Sequence, residues 1–207
     1  MSAKKLVIAI DCDDVLVPTA QGIIGNYNER YGTSLHLKHM YRPASFDTWG
    51  TDDDDVAIER VNEFLRSDEH AKVVPSPEAI AAVKSLARQH ELHLITGRAD
   101  FLEPLTRRML EEYFQGCFQS IEHTNFIVAS TNNVIRRSKG EVCMMIGADI
   151  LIDDHLEHGK SALDTNLKKV IVFGDYPWNQ QEKLPDGMVR CVDWSAIIEE
   201  VSKGVGR

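Results

Sequence analysis

The sequence predicts an α/β fold in which a parallel β-sheet is covered by helices on both faces. Short apolar runs, of the length of a strand buried on both faces, alternate with segments of helical periodicity. The strand-like runs are residues 6–10, 92–95, 150–152, 170–173 and a weaker one at 188–192. The helical segments between them are residues 77–89, 101–114, 139–146 and 155–163. This alternation indicates βαβ units, and therefore a Rossmann-like sheet between two helical layers.

The segment from residue 18 to residue 74 interrupts the alternation. Residues 21–31 and 54–65 have helical patterns, and no clear buried strand lies between them. We therefore expect a small helical cap, 18–74, inserted after the first strand of an α/β core formed by residues 1–17 and 75–207.

Composition excludes several classes of protein. The chain has 207 residues, 43% of them hydrophobic and 27% charged, which suits one globular domain with an insertion. The net charge of −9 argues against nucleic-acid polymers and anionic membranes as partners, because both need a basic surface. No apolar stretch approaches the roughly 20 residues of a transmembrane helix, and the amino terminus does not resemble a signal peptide. Four scattered cysteines without a CxxC pair are typical of reduced thiols, so we expect a cytoplasmic protein. A homodimer is a candidate oligomeric state.

The first predicted strand ends in an Asp-x-Asp motif. Asp11 and Asp13 flank Cys12, and Asp14 follows them. Ligands of parallel sheets bind beyond the carboxyl ends of the strands, where this motif is expected to lie. The spacing lets one carboxylate face a phosphoryl group in line while the other reaches the leaving oxygen. The alternatives are a solvated Asp-rich turn and the Asp-x-Asp motif of metal-binding glycosyltransferases.

Two further polar groups are expected at the same edge of the sheet. Thr96 follows the second strand, and Gly97 comes directly after it; a hydroxyl beside an unobstructed backbone N–H suits phosphate oxygens. The alternative for Thr96 is a helix N-cap. Lys139 lies at the predicted start of a helix, where its charge opposes the helix dipole, and this conflict favours the neutralisation of phosphate over a solvated lysine.

An acidic pair, Asp153 and Asp154, follows the run 150–152. Neighbouring carboxylates at the end of a buried strand repel one another unless a cation or hydrogen bonds compensate them. Mg²⁺ takes hard oxygen ligands from one or two carboxylates, phosphate and water, so the pair predicts a magnesium site. His155 and His158 come next, one helical turn apart, and we interpret them as helix surface or packing and not as a second metal site.

The order Asp-x-Asp, Thr, Lys, Asp-Asp resembles the four signature motifs of the haloacid dehalogenase-like (HAD) phosphatases, and the resemblance covers essentially the whole chain. It implies a Mg²⁺-dependent phosphomonoester hydrolase with an aspartyl-phosphate intermediate, in which Asp11 is the nucleophile and Asp13 transfers protons. The carbon–halogen hydrolases of that superfamily lack the second acid, so Asp13 favours phosphate chemistry. Bacterial receiver domains also use Asp, Thr and Lys, but in another order.

The same resemblance implies roles for the other motif residues. Mg²⁺ would be held by the Asp11 carboxylate, the Asp13 carbonyl and one member of the acidic pair, either Asp153 or Asp154. The residues that would stabilise charge on the transferring phosphoryl group are Thr96, Gly97 and Lys139.

A narrower resemblance lies downstream. Residues 151–155 and 172–179, with Asp193-Trp194, are similar to the 5′-nucleotidase type C group, which includes the cytosolic 5′(3′)-deoxyribonucleotidases. It implies a (deoxy)nucleoside monophosphate as substrate. Two positions depart from the pattern: Asp14 stands where many superfamily members have glycine, and Thr96-Gly97-Arg98 replaces a Thr-Ser pair. In the cap, Phe46 or Trp49 would stack on a base, unless these rings form the core of the cap.

Three other functions fit the same motifs. The first is a phosphatase for another small phosphometabolite. The second is a phosphotransferase or phosphomutase that uses the same aspartyl-phosphate. A catalytically idle phosphate-binding regulatory protein would keep the fold without the reaction; the intact set of acids, threonine and lysine argues against it.

Overall fold

The computed structural model describes residues 5–40, 54–124, 137–165, 167–180 and 183–205. In these ranges a six-stranded sheet, parallel throughout, has the order β3–β2–β1–β4–β5–β6. Its strands are β1 (Val7–Ile10), β2 (Glu91–Thr96), β3 (Phe118–His123), β4 (Ile150–Asp153), β5 (Lys169–Phe173) and β6 (Met188–Cys191). The predicted fold class is confirmed.

Helices cover both faces of the sheet. They are α1 (Thr19–Tyr31), α2 (Asp54–Leu65), α3 (Pro77–Ala87), α4 (Glu103–Tyr113), α5 (Lys139–Ile146), α6 (Leu156–Leu163) and α7 (Trp194–Ser202). Short 3₁₀ turns are Leu37–His39, His70–Lys72, Asp100–Leu102 and Pro177–Asn179. None of the helices in the described ranges has the length and apolar character needed to cross a membrane.

The two faces of the sheet follow from the alternation of side chains along each strand. Ile8 and Ile10 of β1 pack in one cluster with residues of α3, α4 and α7, whereas Ala9 packs on the other face with residues of α5 and α6. Ile8 and Ile10 are fully buried, and each such side chain contributes about 1.5–3 kcal/mol through the removal of apolar surface from water. The result is a three-layer core.

The strand order places β1 between β2 and β4, so the chain turns in opposite directions on the two sides of β1. Ile10 aligns with Leu94 of β2 and with Ile152 of β4, and the three strands therefore end at the same level. The backbone N–H of Asp11 continues the ladder by donating to the Ile152 carbonyl at 2.9 Å. Such a reversal point opens a crevice at the carboxyl ends of the strands, which is where ligands of α/β sheets bind.

Between β1 and α3 the described residues contain the helices α1 and α2 and no strand of the sheet. α1 and α2 pack together through two small apolar clusters, one around Tyr27 and Met40 and one around Phe64. An ion pair of 2.8 Å between Arg30 and Glu63 links the two helices at the surface. The boundaries 18–74 stay a prediction. Phe46 and Trp49 lie outside the described residues.

Two elements were not predicted from the sequence. β3 is an edge strand that pairs with β2, and its sequence FQSIEH has only two apolar residues and is only partly buried. α7 follows β6 directly, with the Asp193 carboxylate accepting a hydrogen bond from the Ala196 N–H as its N-cap. All four cysteines are buried as free thiols. Cys12 packs in the apolar cluster of α3, α4 and α7, and burial raises the pKa of its thiol.

Candidate active site

The Asp11 carboxylate lies directly beyond β1, almost completely buried. Its Oδ2 is 2.7 Å from Lys139 Nζ, and its Oδ1 accepts a hydrogen bond of 2.7 Å from the Cys12 N–H. Burial raises the pKa of Asp11 to about 6, and the nearby Asp153 carboxylate adds to this effect while Lys139 opposes it. Both oxygens are therefore held in a fixed orientation at the carboxyl edge of the sheet.

Lys139 links two of the predicted acidic motifs. Its Nζ lies 2.7 Å from Asp11 Oδ2 and 2.7 Å from Asp153 Oδ2, and the lysine is buried. Burial opposes the charge of the ammonium, but the two carboxylates more than compensate and raise the pKa of Lys139. The position of Lys139 is set by the start of α5, where Ser138 and Glu141 form a reciprocal capping box. The predicted proximity of Asp11, Lys139 and Asp153 is thus present in the structure.

Asp153 and Asp154 have different surroundings. Asp153 Oδ1 accepts from the His155 N–H at 2.9 Å and lies 3.1 Å from His158 Nδ1. Against the effect of burial, Lys139 and then His158 lower the pKa of Asp153. The histidine that we assigned to helix surface or packing therefore also contacts the acidic pair.

Asp154 faces the other acids. Its Oδ2 accepts a hydrogen bond of 2.7 Å from Trp178 Nε1, and within the described residues its Oδ1 accepts none. Burial, followed by the charges of Asp153 and Asp11, raises the pKa of Asp154 well above its usual value. Lys139 opposes this rise, but within the described residues no ion pair reaches Asp154, whereas Lys139 contacts Asp153 directly.

Asp13 is held by a residue to which sequence reasoning gave no role. Arg98 donates from Nε to both oxygens of Asp13, at 2.9 and 3.1 Å, and from Nη2 to Oδ1 at 2.7 Å. Its Nη1 donates to Thr106 at 3.1 Å, and the Thr19 hydroxyl also donates to Asp13 Oδ1. Although burial acts in the opposite direction, Arg98 lowers the pKa of Asp13. In this arrangement Asp13 is a carboxylate.

Asp14 forms the turn into the cap. Its φ of 57° lies in the left-handed region, which glycine adopts most easily and which Asp tolerates. Aspartate can therefore form this turn at the position where the sequence pattern has glycine. The carboxylate accepts from the Ala20 N–H at 3.0 and 3.3 Å, and the carbonyl accepts from the Tyr176 hydroxyl at 2.9 Å. Burial raises the pKa of Asp14 to about 8.

Thr96 ends β2 and is fully buried. Its Oγ1 accepts from the Arg98 N–H at 3.1 Å. It is not a helix N-cap: Ala99 precedes the 3₁₀ turn that leads into α4, and no side chain caps that turn. The capping alternative is therefore wrong. Gly97, partly exposed, lies between these residues, and the phosphate-binding roles of Thr96, Gly97 and Lys139 remain predictions.

The acidic cluster fits a divalent cation. Possible ligand atoms of Asp11, Asp153 and His158 lie within 4.8 Å of one another. However, the Asp153 oxygens already accept from Lys139 and from a backbone N–H and lie beside His158, whereas among the described residues Asp154 keeps an oxygen without a hydrogen bond. These contacts leave more of the Asp154 carboxylate than of the Asp153 carboxylate open to a cation. Carboxyl groups whose pKa is raised by burial and by each other are stabilised as anions by a hard cation.

A groove of about 410 Å³ lies at the boundary between cap and core. Leu37 and Lys38 line it on one side, and Phe173, Asp175 and Tyr176 line it on the other. Tyr176 also contacts the turn after β1, because its hydroxyl donates to the Asp14 carbonyl, so one side chain connects the groove to that turn.

Solved structures with the same architecture are hydrolases of the HAD type. A haloacid dehalogenase-like family hydrolase from Streptococcus pneumoniae matches 95% of this chain and 98% of its own, with a TM-score of 0.66 and 14% identity. A HAD-hydrolase from Bacillus subtilis, in a structure bound to magnesium, matches 96% and 99%, with a TM-score of 0.65 and 11% identity. A predicted phosphatase from Clostridium acetobutylicum matches 95% and 100%, with a TM-score of 0.60 and 16% identity.

No protein-family model and no curated protein matches the chain. At the identities of the solved structures, the likeness establishes the fold. The chain therefore has the fold of the HAD-like hydrolases and phosphatases, with the four predicted motifs at the carboxyl edge of its sheet.

Proposed function

We propose that this protein is a Mg²⁺-dependent phosphomonoester hydrolase that forms an aspartyl-phosphate on Asp11. The observation that carries the proposal is the contact of one buried lysine with two acidic motifs, because Lys139 lies 2.7 Å from both Asp11 and Asp153. This ammonium fixes the direction of the Asp11 carboxylate and supplies positive charge where a phosphate dianion would approach. A solvated Asp-rich turn has no such buried counter-ion.

In the first step, an oxygen of Asp11 attacks phosphorus in line, and the bond from phosphorus to the ester oxygen breaks. Asp13 would give a proton to the leaving alkoxide, and in the second step it would accept one from the water that hydrolyses the acyl-phosphate. The structure holds Asp13 as a carboxylate against Arg98, which is the form needed for the second step. The first step requires that this contact loosen and that Asp13 take up a proton.

The remaining residues would stabilise charge. The Thr96 hydroxyl, the Gly97 N–H and Lys139 would donate to the equatorial phosphate oxygens. The Asp11 carboxylate, the Asp13 carbonyl and Asp154 would hold Mg²⁺, which supplies neutralisation of the phosphate charge when bound.

The substrate class that we propose is a nucleoside or deoxynucleoside 5′-monophosphate. The support is the resemblance of residues 151–155 and 172–179 to the 5′-nucleotidase type C group, together with the groove between cap and core. Phe46 and Trp49 are the cap residues proposed to stack on the base. The four buried free thiols suit the reducing conditions of the cytoplasm, where we place the enzyme.

The test is phosphate release from a panel of phosphomonoesters that includes deoxynucleoside monophosphates and non-nucleoside esters. We expect release in Mg²⁺, none in excess EDTA, and loss of activity to background in Asp11→Asn. Asp164→Asn is the matched control, because Asp164 is exposed at the end of α6. Release from non-nucleoside esters alone would contradict the nucleotidase assignment, and transfer to an added alcohol in preference to water would indicate a phosphotransferase. No release from any ester would overturn the proposal.

A further inference from the structure

We propose that Trp178 is a positioning residue that orients the Asp154 carboxylate for a divalent cation and connects that carboxylate to the cap. The inference rests on the metal site of the proposed function. The four motifs lie at the ends of β1, β2 and β4 and at the start of α5. Trp178 lies in the loop after β5, which none of these motifs includes.

The contact with Asp154 is direct and selective for one oxygen. Trp178 Nε1 donates to Asp154 Oδ2 at 2.7 Å. An indole N–H is a single donor, so it binds one oxygen, and a bond from a neutral donor to a carboxylate is among the stronger hydrogen bonds. The contact therefore restrains the rotation of the carboxylate and leaves Oδ1 without this donor. Hydrogen-bond partners of this kind commonly change metal affinity by 10–100-fold when they are removed.

The indole is itself held in place. It stacks on the Tyr176 ring, with centroids 4.5 Å apart and an interplanar angle of 4°, and Tyr176 donates to the Asp14 carbonyl at 2.9 Å. The next residue, Asn179, is fully buried and donates to the carbonyls of Asp154 and Phe173, each at 2.9 Å. The loop is thereby fastened to the turn after β1 and to the end of β4, which are the two places where the proposed metal ligands lie.

The loop is also fastened from β6. Arg190 Nη1 donates to the Asn179 side chain at 2.6 Å and to the Gly174 carbonyl at 2.8 Å, and its Nη2 donates to the Asn179 carbonyl at 2.6 Å. An indole supported in this way has little freedom to turn away from Asp154, which is the property required of a positioning group.

The same indole packs against the cap. Trp178 is a partly buried member of the apolar cluster built from Ala20, Ile24, Tyr27 and Met40. One side chain therefore packs on this apolar cluster and also binds the proposed metal carboxylate. If a cation that binds Asp154 favours this position of Trp178, then it also favours the packed cap, and the coupling must act in both directions.

Trp178→Phe separates the hydrogen bond from the packing, because phenylalanine keeps an aromatic ring in the cluster and lacks the N–H. The matched control is Trp194→Phe, which shortens an indole buried in the main core beside Phe173. The measurement is calorimetric titration of purified full-length protein with MgCl₂, in the absence of substrate. We expect the dissociation constant for Mg²⁺ to rise about tenfold or more in Trp178→Phe and to stay within about twofold in Trp194→Phe.

Equal Mg²⁺ affinity in Trp178→Phe and wild type would overturn the positioning role even if the variant were less stable. Failure of the wild type to bind Mg²⁺ would instead contradict the metal site of the proposed function, and the inference with it. If Trp178→Phe does not fold, the double variant Trp49→Phe/Trp194→Phe, in which Trp178 is the remaining tryptophan, is titrated by tryptophan emission, with and without Asp154→Asn. We expect Mg²⁺ to change the emission only where Asp154 is intact, and an emission that does not respond to bound Mg²⁺ would refute the inference.

The connection to the cap has its own readout in hydrogen exchange. We expect Mg²⁺ to slow amide exchange in α1 (Thr19–Tyr31) of the wild type, and this effect to be lost in Trp178→Phe. Unchanged exchange in α1 of a wild-type protein saturated with Mg²⁺ would contradict the connection and leave the calorimetric result to decide the positioning role.

Discussion

Replacement of Arg98 by methionine removes the positive charge that compensates Asp13. Arg98 is 5% exposed and makes three contacts of 2.7–3.1 Å with Asp13 and one of 3.1 Å with Thr106. Loss of one partner of a buried ion pair costs about 3–5 kcal/mol, because the other charge stays buried without compensation. The Asp13 side chain is 29% exposed, so water compensates part of its charge, and we expect the lower limit, about 3 kcal/mol.

Urea unfolding in EDTA measures this loss without a contribution from bound metal. In thermal unfolding of a chain of this size, the same loss of about 3 kcal/mol corresponds to a fall in Tm of roughly 6–12 °C. Arg107→Met is the matched control. Arg107 pairs with Glu103 at 2.6 Å on the surface of α4 and its side chain is 56% exposed, so we expect a loss below about 1 kcal/mol.

A double variant tests the physical cause. Asp13→Asn in the Arg98→Met background removes the uncompensated charge, and we expect it to recover about half of the lost stability. The reasoning is refuted if Arg98→Met unfolds at the same urea concentration as the Arg107→Met control. It is also refuted if the two substitutions at Asp13 and Arg98 destabilise additively, since that would mean that the charges are not coupled.

Two other predictions concern the metal and the packing of α5. The apparent affinity for Mg²⁺ is expected to fall about tenfold as the pH drops from 7 to 5. The reason is that the pKa of Asp11 is raised to about 6 in the metal-free protein, so that at pH 5 Mg²⁺ must displace a proton. Equal affinity at pH 5 and pH 7 in calorimetric titrations would contradict this prediction. Gly140→Ala is expected to lower the free energy of unfolding in urea by about 1–3 kcal/mol, because a Cβ at this position would collide with the Ser161 carbonyl oxygen of α6. Gly25→Ala in α1 is the control, and it should cause no loss because the space around Gly25 is open. A Gly140→Ala variant as stable as Gly25→Ala would refute the close contact of the two helices.

The central strands were predictable because strands buried on both faces consist of continuous apolar residues. β1, β4 and β5 are each found within one or two residues of their predicted positions, and the polar residues that end the runs of β1, β2 and β4 mark the carboxyl edge of the sheet. β3 was missed because an edge strand buries one face only and therefore lacks such a run. α7 was missed because the sequence around Asp193 and Trp194 was interpreted as a motif and not as a helix start.

Within the site, the positions of Asp11 and Asp153 followed from the rule that parallel strands end at one edge. The contact of Asp13 with Arg98 could not be predicted in this way. In the sequence, Arg98 is one of several polar residues after a strand, and the direction of its side chain depends on the conformation of the turn after β2. One signal was present: three acids within four residues after a buried strand require more positive charge than Lys139 alone supplies. The contact of Trp178 with Asp154 joins residues from two loops, and no spacing along the chain indicates it.

The central claim is that Asp11 becomes phosphorylated. Borohydride reduction during turnover of a phosphomonoester in Mg²⁺ converts an aspartyl-phosphate to homoserine, which peptide mass spectrometry locates by residue. We expect homoserine at position 11, dependent on both substrate and Mg²⁺. Turnover of the ester by the wild type without any modification of Asp11, together with undiminished turnover by Asp11→Asn, would contradict the account.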